Sequence, residues 1–175
     1  MPIFKLLEKI TAIFKKLDIQ YMISGSMAMN FYSVSRATRD IDIVVHMQEK
    51  DINNFIDNLN NFYFNKDTII KETRNLGMYN IIDLESGFKI DIILLKNTEY
   101  FKEAFSNKLI KKDLGFEIDV ISLEDLIIAK LLWIQQLQSE RQKEDIKMLL
   151  NNTNTNIEYI IKWVDALNIN TFEII

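Results

Sequence analysis

The chain has no cysteine. It can therefore carry neither a disulfide framework nor a thiolate metal site, which excludes structural zinc of the usual kind. One proline and four glycines punctuate its 175 residues, and neither an internal repeat nor an extended linker interrupts it. No apolar run approaches the roughly 20 residues that span a bilayer. Residues 1 to 16 mix Phe4, Leu7 and Ile10 with Lys5, Glu8 and Lys9, not the uninterrupted apolar centre of an export signal. No membrane partner is expected, and a cytoplasmic location follows. An excess of positive charge is also missing: the net charge is -4 and the pI about 5.1, against a protein that coats nucleic acid by bulk electrostatics.

What is present is an ordinary globular composition, 48% hydrophobic and 26% charged, in a length that suits one domain with a continuous core. Ile3, Leu6, Leu7, Ile10, Ile13, Phe14 and Leu17 recur at helical spacing, so residues 3 to 18 read as an amphipathic helix. Tyr21 to Ser24 is a short strand, broken by Gly25 and Ser26 ahead of a helix from Met27 to Tyr32. Asp40 to His46 alternates Ile41, Ile43 and Val45 with Asp40, Asp42, Val44 and His46, a strand with two chemically distinct faces. A helix is expected over 50 to 60, no assignment is made from there to Asn75, and Met78 to Leu84 and Phe88 to Leu95 form a hairpin turning at Glu85, Ser86 and Gly87. A helix over 99 to 105 and short strands at 108 to 112 and 117 to 121 follow. From Ser122, the expected cap with Asp125 three residues on, the period becomes helical. Helices at 140 to 150 and 156 to 167 complete the chain. The fold class is α/β (α+β), a mixed sheet flanked by helices with a C-terminal helical bundle; residues 1-121 form the core and 122-175 a helical subdomain packed on it.

Asp40 and Asp42 lie on one side of one strand, and Asp91, between Ile90 and Ile92, can join them from another. Acids in such apolar strands are costly unless compensated. Clustered carboxylate oxygens suit hard divalent cations, and paired ions stabilise both attacking and leaving oxygens in phosphoryl chemistry. Upstream, Ile23-Ser24-Gly25-Ser26 ends a strand where a helix begins, placing free helix amides and the Ser26 hydroxyl for phosphate, with Gly25 allowing close backbone approach.

Gly25-Ser26, thirteen further residues, Asp40-Ile41-Asp42 and then Asp91 resemble the signature of the polymerase-β-like nucleotidyltransferase superfamily. The segment Arg36-Ala37-Thr38-Arg39-Asp40-Ile41-Asp42 and the later Leu123-Glu124-Asp125-Leu126-Ile127-Ile128-Ala129-Lys130 are similar to the toxin-like branch typified by the AbiEii toxins, a likeness running from about residue 20 to 150. The resemblance implies a nucleoside triphosphate substrate carried by two Mg²⁺ ions, with Mn²⁺ as a substitute, on Asp40, Asp42 and Asp91. Gly25, Ser26, Arg36, Thr38, Arg39 and Lys130 would lie at the nucleotide. It further implies a hydroxyl acceptor in RNA such as a tRNA end, and an antitoxin partner. The run Arg141-Gln142-Lys143-Glu144-Asp145 departs from that branch, Glu144 standing where it has an Asp. The alternatives are transfer to a small molecule such as an antibiotic, and a degenerate nucleotide-binding module.

Blander readings stand beside these. Lys130, among Leu126, Ile127 and Leu131, can be a buried stem with its ammonium at the rim. His46 reads as structural, Trp133, Trp163, Phe55 and Phe62 as core, and Lys108, Lys111 and Lys112 as a solvated strand edge. Asp83 is the reserve candidate for the third acid.

Overall fold

The structure, a computed structural model, describes residues 2–33, 38–112, 114–137 and 139–175. Its elements run α1 (Pro2–Lys16), β1 (Gln20–Ser24), α2 (Gly25–Met29), β2 (Asp40–His46), a 3₁₀ turn (Glu49–Asp51), α3 (Ile52–Asp57), β3 (Phe62–Tyr63), α4 (Lys66–Arg74), β4 (Met78–Asp83), β5 (Lys89–Leu94), α5 (Glu99–Ser106), β6 (Leu109–Lys111), β7 (Ile118–Val120), α6 (Leu123–Gln136), α7 (Glu140–Leu150) and α8 (Ile157–Ala166). The strands form a seven-stranded sheet in the order β3-β4-β5-β2-β1-β7-β6. It is mixed: β2 runs parallel to β5 and β1 parallel to β7, while the other neighbours are antiparallel. The expected α/β class and mixed sheet are what the chain adopts.

One face of the sheet is closed. Ile41, Ile43 and Val45 of β2, and Ile90, Ile92 and Leu94 of β5, are fully buried or nearly so, and all but Leu94 are β-branched residues that fill a pleated surface well. Helix α1 presents Ile3, Leu6, Leu7, Ile10 and Phe14 to this core. Phe14 stacks on Phe55 of α3 at 5.7 Å and meets Tyr21 of β1 at 5.5 Å. The other face carries the even positions of β2, with Asp40 and His46 exposed at its ends and Asp42 and Val44 half-buried between them.

Three expectations are corrected. The helix expected over 50 to 60 is split, because the Asp51 carboxylate accepts the Gln48 amide at 2.9 Å and closes a 3₁₀ turn before α3, which stops at Asp57. The segment left unassigned contains α4, capped by Asn65, whose side chain accepts the Thr68 amide at 2.9 Å; it buries only Ile69 and Thr73, so its apolar period is nearly silent. Trp133 is not core but 51% exposed. The last turn of α6 leaves Gln135, Gln136 and Leu137 exposed as well, while Ile134 in the same turn is fully buried, so Trp133 sits on the outward side of the helix. Trp163, Phe55 and Phe62 are buried as expected.

Ser122 caps α6, accepting the Asp125 amide at 3.1 Å. The Asp125 carboxylate, with no exposed surface, accepts from the Ser122 hydroxyl at 2.6 Å, the Tyr159 hydroxyl at 2.9 Å and the Asn107 amide at 3.2 Å. One buried acid thus ties α6 to α8 and to the end of α5. Burial raises its pKa, opposed by these hydrogen bonds. Replacing Asp125 by Ala should strand three donors and cost about 2–4 kcal/mol in urea denaturation. A loss below roughly 0.5 kcal/mol, the range of neutral surface changes, would show that the hub contributes nothing to stability.

Candidate active site

Strand pairing sets a row of side chains across the open face. Ser24 of β1 lies opposite Asp42 of β2, Asp42 opposite Asp91 of β5, and Asp91 opposite Asn80 of β4. One step along, Asp40 lies opposite Lys89. Because side chains on a strand alternate, Asp40, Asp42, Lys89 and Asp91 all share one face.

Helix α2 begins beside this row, and its N-cap residue Ser24 makes no side-chain capping bond. Gly25 has φ +59°, and a Cβ placed on it would collide with the Asp42 carboxylate. Glycine is needed here twice over, for the left-handed backbone and for the space. The close approach read from the sequence is therefore, in the chain itself, an approach to Asp42.

The Asp42 carboxyl is pushed up to about 6 by burial first, then by the charges of Asp91 and Asp40, with Lys89 and Lys130 pulling the other way. Lys89 donates to Asp91 at 2.8 Å and sits 3.9 Å from Asp40; the hydrogen bond to Asp91 raises its own pKa against the opposing effect of burial. Asp91 is 13% exposed and Asp40 57%. A divalent cation suits this donor set chemically, since three carboxylates share one end of two parallel strands and a cationic group is already drawn between two of them. As the side chains stand, no three Asp, Glu, His or Cys among the described residues are arranged to hold a metal ion; Lys89 takes up that charge instead.

Sequence reasoning passed over Lys89, although its position two residues before Asp91 put it on the same face. It also assigned no partner to Lys130. That ammonium is buried, bonded to Asp145 at 3.0 Å and Gln142 at 2.9 Å, with 5% and 3% of the two charged side chains exposed. Lys130 thus stands as an ion pair linking α6 to α7, and its charge still reaches Asp42.

The remaining candidates are placed as follows. Ser26, in the first turn of α2, is half-buried. The Thr38 hydroxyl donates to the Asp40 carbonyl at 3.0 Å and accepts its amide at 3.3 Å, bracing the start of β2. Arg39 is exposed, and Arg36 lies outside the described residues. His46, at the far end of β2 from Asp40, meets Phe105 edge-on at 6.5 Å. Asp83 is on the closed face, bonded to Lys9 at 2.8 Å and Ser86 at 2.6 Å, so it is no alternative third acid. Two charges of the basic run are spent locally, Lys108 on Asp119 at 2.9 Å and Lys112 on Glu117 at 2.7 Å.

A family model described as a nucleotidyltransferase of unknown function (DUF6036) matches residues 2–170. No curated protein sequence matches the chain. Among solved structures, the chain is similar to the antibiotic-resistance factor ANT(2'')-Ia in complex with adenylyl-2''-tobramycin, with TM-score 0.59, 15% identity and coverage of 96% of this chain and 98% of that one. It is also similar to the lincosamide antibiotic adenylyltransferase LnuA, lincomycin-bound, with TM-score 0.50, 16% identity and coverage of 85% and 97%. At these identities the likeness is one of fold. The chain belongs to the DUF6036 family and is a nucleotidyltransferase.

The raised pKa of Asp42 has a signed consequence. The folded chain holds this proton up to about pH 6, the unfolded chain only to its ordinary 3.8. Stability from this group is therefore greatest below the lower value and is lost as pH rises through the upper one. In metal-free solution Asp42→Asn should be more stable than the parent above pH 6, by on the order of 1–3 kcal/mol, and the advantage should shrink towards pH 4. Urea denaturation across that range checks it; an advantage growing on acidification would contradict the assignment.

Proposed function

We propose that the chain moves a nucleoside monophosphate from a nucleoside triphosphate to a hydroxyl acceptor, with Asp40, Asp42 and Asp91 holding Mg²⁺, or Mn²⁺ in its place. The observation that carries this reading is the register of Asp42 with Asp91 on adjacent parallel strands beside the start of α2. Bound divalent ions would neutralise the triphosphate and stabilise the charge developing on attacking and leaving oxygens.

The chain's own residues supply the rest. Gly25 and Ser26 offer the first amides of α2 and a hydroxyl to phosphate oxygens. Asp91, the more buried of the outer two acids, accepts the proton of the attacking hydroxyl, whose oxygen bonds to the α-phosphorus as the bond to pyrophosphate breaks. Lys130 adds positive potential from behind Asp42, and Thr38 fixes the backbone that presents Asp40. Arg36 and Arg39 stand in the segment leading to that strand, where guanidinium groups suit phosphate oxygens.

For the acceptor, the likeness of residues 36 to 42 and 123 to 130 to the AbiEii branch supports RNA such as a tRNA end, and a role as the toxin of a toxin-antitoxin or phage-defence pair with an antitoxin partner. A small hydroxylated acceptor is the second reading, favoured by the fold shared with two enzymes whose structures hold adenylyl-tobramycin and lincomycin. Incubation with each α-labelled triphosphate, Mg²⁺, total bacterial RNA and hydroxylated antibiotics separates them. Label in RNA supports the first reading, label in the small molecule the second, and label in neither counts against transfer.

Asp40→Asn and Asp42→Asn should each lower transfer by ~10²-fold or more while the circular dichroism spectrum stays that of the parent, since each removes a charged ligand from a preformed surface. A folded Asp42→Asn protein with near-normal turnover would refute the metal assignment. Asp91→Asn should depress single-turnover rate far more than calorimetric affinity for Mg-triphosphate, as expected of a group acting mainly in the transition state. Equal losses in both would mean that Asp91 serves the nucleotide-borne ion.

A further inference from the structure

Strand geometry itself sets Lys89 on the acid face. It lies opposite Asp40 in the parallel register and two residues before Asp91 on the same strand, so its stem starts on the face that carries the acids. It donates to Asp91 at 2.8 Å and approaches Asp40 at 3.9 Å. Its own side chain is 40% exposed, so the ammonium has an open path to solvent and to whatever binds above the acids.

Two things follow from placing an ammonium there. Without ligand, Lys89 offsets the mutual repulsion of acids that burial has already made costly to ionise. When a divalent ion binds the acids, the two cations compete for the same oxygens, and Lys89 must give up Asp91. A bare ion offers the displaced ammonium only repulsion, whereas an ion arriving on a triphosphate brings phosphate oxygens that can receive it.

We propose that Lys89 is a tethered counter-ion that makes the acid site selective for metal delivered as metal-triphosphate over free metal. This rests on the reading of Asp40, Asp42 and Asp91 as the metal acids, and assigns Lys89 the role of setting which form of the metal they accept. Lys89 holds the acids in the empty site, releases them on ligand binding, and moves its charge onto the phosphates.

The test is Lys89→Met, which keeps the apolar stem and removes the charge. Free Mn²⁺ and Mn-triphosphate affinities are measured by calorimetry for the parent, Lys89→Met, Lys89→Arg and Asp42→Asn, with a non-hydrolysable triphosphate so that turnover plays no part. Lys89→Met should bind free Mn²⁺ roughly fivefold to twentyfold more tightly than the parent and Mn-triphosphate more weakly by a similar factor. Lys89→Arg should follow the parent. Opposite shifts are the signature, because a merely structural change would weaken both. Unchanged or parallel affinities in a Lys89→Met protein whose Mn²⁺ binding is still lost on adding Asp42→Asn would overturn the counter-ion role and leave the metal acids standing. Mn²⁺ binding that ignores Asp42→Asn in every background would overturn both.

Discussion

Three carboxylates brought to one end of two parallel strands repel one another, and much of this molecule is arranged around that cost. Asp42 bears most of it. It is flanked by Asp91 in register and Asp40 two residues before it, and Gly25 leaves room for its carboxylate where any side chain would collide. Burial and like charge together push its proton affinity up to about 6. A chain keeps such a cluster only where something pays it back, and here Lys89 does so in part.

The scaffold makes the cluster rigid. The odd positions of β2 and the even positions of β5 are locked into the closed core beneath α1 and α3, so the acids cannot slip in register without turning Ile41, Ile43, Ile90 and Ile92 to solvent. Behind the sheet end, α6 packs beside α2 and carries two buried polar links, Asp125 to Tyr159 and Asn107, and Lys130 to Asp145 and Gln142. Breaking a buried ion pair by removing one partner leaves the other charge uncompensated, so Lys130 holds the helical end of the chain together while lending its field to Asp42.

The acid row could be read from the sequence because apolar and charged residues alternate in Asp40 to Ile43 and again in Lys89 to Ile92, taking opposite faces of their strands. The parallel register that brings Asp42 beside Asp91 was not legible, since it depends on a crossover between strands more than forty residues apart. The shared face of Lys89 and Asp91 was legible from their spacing on one strand, whereas the approach of Lys89 to Asp40 was hidden by the same gap. Helix α4 was missed because its surface is polar nearly all round, and Trp133 was misplaced because a large apolar side chain was taken for core although Ile134, not Trp133, is the inward residue of that turn. Asp125 was read as part of a cap, and its link to Tyr159 lies 34 residues away.

The central claim is that a divalent ion belongs to Asp40, Asp42 and Asp91. Mn²⁺ shortens nuclear relaxation steeply with distance, so the amide resonances it broadens locate it directly. Added with a non-hydrolysable triphosphate to ¹⁵N-labelled protein, Mn²⁺ is predicted to broaden the amide signals of Gly25, Ser26, Asp42 and Asp91 most strongly, with the effect falling along β2 towards His46 and weaker again at Tyr159. Broadening centred on Asp125, Asp145 or the far end of β2, with the signals of Asp42 and Asp91 intact, would contradict the account.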